Sequence, residues 1–184
     1  MCIRDRDEGG GGFFFTGRDQ ETLLIRPKSS YDHATPSGCS VAVHNLLRLT
    51  YYTGEEEYRQ KAERTLRLFR DYLAQNPFGF GHLCSALALY LNPPPEIVIV
   101  GHRGSEDTHA LLQAAHRPYL PVKVLLLVEP GQSTSSLPIV GSLLAGKGMK
   151  ENRATAYVCQ QQSCSPPVTD PEALVSLLEA PAKG

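Results

Sequence analysis

The chain has 184 residues, room for one or two domains of modest size, with 41% hydrophobic and 20% charged residues, a balance that builds a core and argues against disorder. Its net charge of −1 and pI near 6.6 leave no basic field to recruit nucleic acid or an anionic membrane, so neither is expected as a partner. The longest apolar run, Val122 to Val128, is broken by Lys123 and is far too short to span a bilayer.

In chain order, the first residues read as foreign to a fold. Met1-Cys-Ile-Arg-Asp-Arg6 is what ATG TGT ATA AGA GAC AGN can encode, a string similar to a transposase adapter. Residues 1–8 are therefore expected to be extraneous or disordered. Gly9-Gly-Gly-Gly12 before Phe13-Phe-Phe15 fits a chain entered in mid-domain, and it lacks the basic flank and cleavage pattern of a secretory signal.

From Ser37 to Leu91 the apolar period is helical. Val43, Leu46, Leu47 and Thr50 share one face of a helix stopping near Gly54. Thr53 and Glu56 have capping-box spacing for a second helix, with a stripe of Tyr58, Ala62, Leu66, Phe69 and Leu73, ending at Asn76-Pro77. Leu83, Leu87 and Tyr90 mark a third, closed by Asn92-Pro-Pro-Pro95. One such αα-hairpin cannot bury its own apolar face, so Leu46, Leu66, Phe69 and Leu87 are expected to await partner hairpins.

After the prolines the pattern changes. Ile97–Val100, Val122–Val128 and Ala154–Val158 read as strands, and the helices are expected from Ser105, over Leu137–Leu144, and from Thr169-Asp170-Pro171-Glu172. Alternation of strand and helix predicts a parallel sheet covered by helices. The boundary falls near 92–96, giving helical hairpins over 9–92, a small α/β domain over 96–180 and a tail over 181–184.

Arg26, Asp32, His33, Ser37, His44 and Asn45 form the densest polar cluster and are candidates to line a pocket. The plainer alternative has Ser37 capping a helix, Arg26 and Asp32 paired at the surface and His44 solvated. Cys159 and Cys164 are the redox or disulfide candidates. Four intervening residues are too many for thioredoxin spacing, and no further Cys or His pair completes a metal set. A returning loop brings the two sulfurs together. No Lys, Arg or His lies between Arg153 and Lys183, so any activating cation comes from elsewhere, and near-normal thiols with at most a structural or opportunistic disulfide are expected. With Cys2, Cys39 and Cys84 the cysteines number five, which reads as reduced thiols in a cytoplasmic chain. Gly101-His-Arg-Gly104-Ser105 stands where strand-to-helix turns hold anions, but lacks the full glycine pattern and a ribose-binding acid. Gly146-Lys-Gly148 reads as a loop. No cofactor and no metal are expected.

Several ordered blocks carry a resemblance: Arg26-Pro-Lys-Ser-Ser-Tyr-Asp32, Ala34-Thr-Pro-Ser-Gly-Cys-Ser40, Asn45-Leu-Leu-Arg-Leu49, Ile97-Val-Ile-Val-Gly101 and Ala154-Thr-Ala-Tyr-Val-Cys159 with Cys164-Ser-Pro-Pro-Val-Thr-Asp-Pro171. Together they resemble the thioredoxin-domain-containing family that includes spermatogenesis-associated protein 20 and the bacterial YyaL-like proteins. The resemblance implies a long parent with a Cys-x-x-Cys thioredoxin-like domain, an (α/α)6 toroid similar to six-hairpin glycosidases and N-acylglucosamine 2-epimerases, and a small α/β tail. This chain has no Cys-x-x-Cys and would be the C-terminal piece, its partner the missing N-terminal part. Cys39 stands where the resemblance leads one to expect Asn. Two functions follow: part of a carbohydrate-binding or carbohydrate-active toroid, with Arg26, Asp32, His44 and Asn45 in a partial pocket, or a non-catalytic scaffold for the thioredoxin-like domain of a redox parent. Charged groups converging in a concavity at the Ser37 helix start would favour the first, and a flat or apolar surface there the second.

Overall fold

The computed structural model describes residues 6, 7, 9–17, 25–131, 141–160 and 163–180. The chain divides into two compact units, Met1–Asn92 and Pro93–Gly184.

In the first unit, helix α1 spans Gly38–Thr53 and is opened by Ser37, whose hydroxyl accepts the Ser40 N–H at 3.1 Å. It stops at Gly54, where φ is +69° and the N–H closes on the Thr50 carbonyl. Helix α2 spans Glu56–Leu68. The expected Thr53–Glu56 box does not form. Thr53 is still the last residue of α1, its hydroxyl takes the Glu55 N–H, and Glu56 and Glu57 serve the positive end of α2 by charge alone. The stripe expected to run unbroken breaks at Phe69 (φ −101°, ψ 9°), which turns its buried ring inward before α3, Arg70–Gln75. A 3-10 turn over Pro77–Phe80 then leads into α4, Gly81–Leu91.

Two contacts fix the direction of these helices. Near their C-termini the Tyr51 hydroxyl donates to the Leu89 carbonyl, so α1 and α4 run parallel. The Arg59 guanidinium, early in α2, lies 4.8 Å from the ring of Tyr90, late in α4, so α2 runs antiparallel to both. Val43, Leu47, Ala62, Leu83 and Ala86 are buried between them. Leu66 and Phe69, expected to wait for partner hairpins, are buried within the unit, and Leu46 and Leu87 are half-buried. Large apolar side chains still face outward at Phe78 (97% exposed) and Tyr72 (62%).

Of the residues expected to be extraneous, 1–5 and 8 lie outside the described residues. Arg6 bridges Phe13, and Asp7 accepts the N–H groups of Gly9 and Gly10 and pairs with Lys28 at 2.6 Å. The Gly12 N–H donates to Thr65 on α2. Gly11 has φ +75°, and a side chain there would stand 3.2 Å from the Arg64 carbonyl, so the approach of residues 11–12 to α2 requires glycine.

The second unit is a four-stranded sheet, β1 Glu96–Val100, β2 Val124–Val128, β3 Thr155–Gln160 and β4 Ser163–Cys164, in the order β2-β1-β3-β4. β1 and β2 are parallel, while β3 is antiparallel to β1 and β4 to β3. The expected all-parallel sheet is thus corrected to a mixed one. Val100 pairs both with Val128, which ends β2, and with Thr155, which begins β3. The connection from β2 to β3 therefore starts and finishes at one end of the sheet. A parallel return needs a crossover that carries the chain back to the opposite end. The helix in this connection, α6, covers Gly141–Leu144, and the rest of the expected 137–144 helix lies outside the described residues.

One sheet face, carrying Ile97, Ile99, Ala156 and Val158, is covered by α5 (Glu106–His116) and α7 (Pro171–Glu179) through Leu111, Leu174 and Leu178. Burying a leucine of this kind contributes about 1.5–3 kcal/mol. Asp170 caps α7 through the Ala173 N–H at 2.8 Å, with Pro171 at the first helical position. The other face carries Val98, Val100 and Tyr157, with Leu144 and Met149 against them. Tyr157 donates its hydroxyl to the Gly148 carbonyl at 2.7 Å and accepts the Gly148 N–H at 3.1 Å. Tyr157→Phe should cost about 1–2 kcal/mol in urea unfolding, the worth of those bonds, and an unchanged midpoint would sink this expectation.

Beyond β4 the pairing continues. The Ser165 N–H reaches the Val158 carbonyl, and Val168 exchanges both bonds with Ala156. Between those pairs, Pro166 and Pro167 together oppose Tyr157, a β-bulge filled by residues that have no N–H to leave unpaired.

Candidate functional site

Of the sequence candidates of the helical unit, Asp32 makes the most connections; an extended segment carries it to the N-termini of α1 and α4. The Asp32 N–H donates to Gly79, and Tyr31 lays its ring so close over Gly79 that a side chain there would lie 2.2 Å away. One Asp32 carboxylate oxygen accepts the Ser37 N–H at 2.8 Å; the other accepts those of His82 at 2.8 Å and Leu83 at 3.2 Å. One side chain thus caps two parallel helices. Burial pushes its carboxyl up, but the Ser37 N–H, the Ser40 hydroxyl and the Leu83 and His82 N–H groups outweigh this and hold it below the ordinary aspartate range.

The other candidates separate. Ser37 is buried and spent as the cap of α1. Arg26 does not pair with Asp32: it donates to the Thr16 carbonyl at 2.6 Å and stacks 4.3 Å over the Phe14 ring. His33 is exposed, 4.8 Å from the Tyr31 ring, and Asn45 is exposed on α1. His44 is half-buried and stacks on His82 of α4 at 5.1 Å between centroids. Burial, then the neighbouring His82 and Arg48, push His44 below the ordinary histidine range, so it is neutral at pH 7. Cys39 is buried, and its thiol donates to the Phe13 carbonyl at 3.3 Å, a bond that an asparagine amide here could also supply. Burial raises its pKa.

Sequence reasoning missed His82 and Cys84. Both sit at the start of α4, and only the parallel packing of α1 on α4 brings His82 to His44, 38 residues away in sequence. Cys84 has its thiol pushed up by burial and by the Asp32 charge. Beside it an apolar groove of about 500 Å³ runs between α2–α3 and α4, floored by Leu66, Leu73 and Leu87. Among the described residues no group of three or more His, Cys, Asp or Glu side chains is placed to hold a metal ion, and no helix is long and apolar enough to cross a membrane.

In the second unit the turn Gly101–Ser105 has carboxylates beside it. Glu129 accepts the Arg103 N–H at 3.3 Å, and Asp107, in the first turn of α5, accepts the Ala154 N–H at 2.7 Å. That bond, then the Ser105 hydroxyl, holds Asp107 below its ordinary value despite some desolvation. Cys159 and Cys164 are paired across β3 and β4 and joined by a disulfide, whereas Cys39 and Cys84 are free. The loop between them returns as expected and brings the two sulfurs within bonding distance, so the reading of five reduced thiols holds for Cys39 and Cys84 but not for this pair. Glu96 of β1 stands directly opposite Cys159, a neighbour that no local spacing signals.

Human spermatogenesis-associated protein 20 is 38% identical over 173 residues, which cover 94% of this chain and 22% of the human protein; the rat protein of the same name matches at 38% over the same shares. An uncharacterized Caenorhabditis elegans protein is 31% identical over 162 residues, covering 86% of this chain and 21% of its own length. The chain thus spans about a fifth of the length of these relatives. No family model and no solved structure matches it.

Proposed function

Over the residues it shares with them, this chain belongs to the family of spermatogenesis-associated protein 20, and on that premise we propose that its helical unit is a non-catalytic scaffold within a longer protein. In this reading the unit is a stretch of helical toroid that positions a thioredoxin-like domain carried elsewhere in the parent, and redox chemistry is the parent's role. The observation that carries it is the state of Asp32. A carboxylate acting on a sugar needs a free oxygen facing the substrate, and both oxygens of Asp32 accept backbone N–H groups. Arg26 and Ser37 are likewise spent on local structure. Parallel α1 and α4 packed side by side, with α2 antiparallel against α1, support the toroid, whose hairpins alternate in that way. The remaining hairpins and the thioredoxin-like domain are then the partners of this unit.

The second reading, a carbohydrate ligand, is favoured by one observation: the imidazoles of His44 and His82 stack 5.1 Å apart beside the N-terminus of α4, a paired ring face that a sugar could pack on. Titrating the chain with hexoses and N-acylglucosamines, with the histidine resonances followed by NMR, separates the two. The scaffold reading expects no saturable shift at millimolar sugar. A saturable shift at His44 that His82→Ala abolishes would overturn it.

A further inference from the structure

The second unit holds a group of side chains for which the scaffold reading has no use. Cys159 and Cys164 face one another across β3 and β4 with their Cα atoms 4.0 Å apart. Cys164 is exposed, while Cys159 is only 4% exposed. On the other side of β3, Glu96 pairs with Cys159. Directly opposed residues in an antiparallel pair point to one face, with Cβ atoms roughly 4.5–5.5 Å apart. The Glu96 carboxyl therefore shares a face with the disulfide and has the reach to meet the buried sulfur. Two positions along that face is Tyr157, with the Lys147 ammonium 5.9 Å from its ring.

We propose that the Cys159–Cys164 disulfide and Glu96 form a thiol–disulfide exchange site for a small-molecule monothiol, with Glu96 as proton donor to Cys159. Only Cys164 is open to attack. An incoming thiolate bonds to the Cys164 sulfur, the disulfide breaks, and its electron pair leaves on Cys159. That leaving thiolate forms at a buried position, where the charged form is disfavoured, so a neighbouring acid that protonates it lowers the barrier. Glu96 passes its proton to Cys159 and becomes the carboxylate. A second thiolate then attacks the external sulfur of the mixed disulfide, releasing the oxidised thiol dimer and a Cys164 thiolate that protonates from water, while Glu96 regains its proton from solvent. The balance is one protein disulfide and two thiols giving one dithiol and one small disulfide.

Glu96 is suited to this role. Burial pushes its carboxyl above the ordinary glutamate range, with Lys147 pulling the other way. Among the described residues, Lys147 on the loop after α6 acts on the Glu96 charge, and Tyr157 on β3 lies two positions along the same face. Val124, opposite it on β2, is apolar, and Lys150 and Arg153 lie toward the far end of the strands.

The test follows reduction of the 184-residue chain by glutathione between pH 4 and 8. Differential alkylation and peptide mass spectrometry read Cys159 and Cys164 apart from the other cysteines. The rate is divided by the glutathione thiolate concentration, which removes the reductant's own ionisation. Wild type should then show a high plateau in acid that falls as pH rises through the Glu96 titration. Glu96→Gln should be flat and about a hundredfold slower on that plateau, the low side of what a positioned acid contributes, with Glu96→Asp in between. Equal, flat profiles in wild type and Glu96→Gln overturn the proposal. If Glu96→Gln fails to fold, Lys147→Met decides: loss of that cation must move the inflection to higher pH, and an unmoved inflection overturns it.

Discussion

Asp32→Ala should lower the stability of the helical unit by about 3 kcal/mol, because it strips acceptors from the ends of two helices at once. A lost helix cap alone costs roughly 0.5–2 kcal/mol, and hydrogen bonds to a charged group contribute about 1.5–3 kcal/mol each, with incomplete additivity. The Ser37 N–H loses its partner at α1, and those of His82 and Leu83 lose theirs at α4. Asp32→Asn keeps a neutral acceptor and should recover about half of the loss. The effect has a pH signature with a fixed sign. The folded pKa of Asp32 is depressed, so its contribution is fully present above the unfolded value of about 3.9 and is lost as pH falls through the folded one. The wild-type-minus-variant difference should therefore be constant near neutrality and shrink below about pH 4. Urea unfolding, with hydrogen exchange read on peptides from α1 and α4, measures it. A difference under about 0.5 kcal/mol, the usual range of surface changes, would show that water replaces the carboxylate without cost.

The second large effect belongs to the α/β unit. A β-carbon added at Gly101 would lie 2.3 Å from the Thr108 hydroxyl oxygen and 2.9 Å from the Ala154 β-carbon, and both neighbours are fully buried. Neither can move aside into solvent, so Gly101→Ala must lift α5 from the end of β1. Overpacking of this kind costs about 1–3 kcal/mol, and the upper end is expected here because a strand end and a helix are both displaced. Adding Thr108→Ala removes the closer clash and should restore part of the stability, leaving the contact with Ala154. A Gly101→Ala protein as stable as wild type would mean that the turn shifts freely. The sequence around Gly101 lacks the full pattern of a phosphate-binding turn, and the requirement for glycine there is set by the closeness of helix and strand.

Periodic features were legible in advance. The stripe Val43, Leu47 announced α1, and the β-branched run Ile97–Val100 announced a strand buried on both faces, because burial selects apolar residues at regular spacing. Strand direction was not legible: β3 has the same kind of run, and whether it runs with or against β1 depends on where the preceding connection ends. The break at Phe69 was hidden because its apolar side chain fits the stripe while its backbone leaves it. At the candidate sites the polar residue types could be read, but their partners could not. Asp32 meets residues 50 and 51 positions away, His44 meets His82, and Glu96 meets Cys159, pairings made only by packing and register.

The proline bulge beyond β4 has a consequence for association between molecules. An outer strand invites another chain to add itself, since every second residue offers a free N–H and carbonyl to the outside. Here the rim passes from Cys164 through Ser165 into Pro166 and Pro167 before pairing resumes at Val168, so an arriving strand meets two successive positions without a donor and a kink in the template. Growth of the sheet by a neighbour is blocked on this side at the level of the backbone, whatever side chains the rim displays.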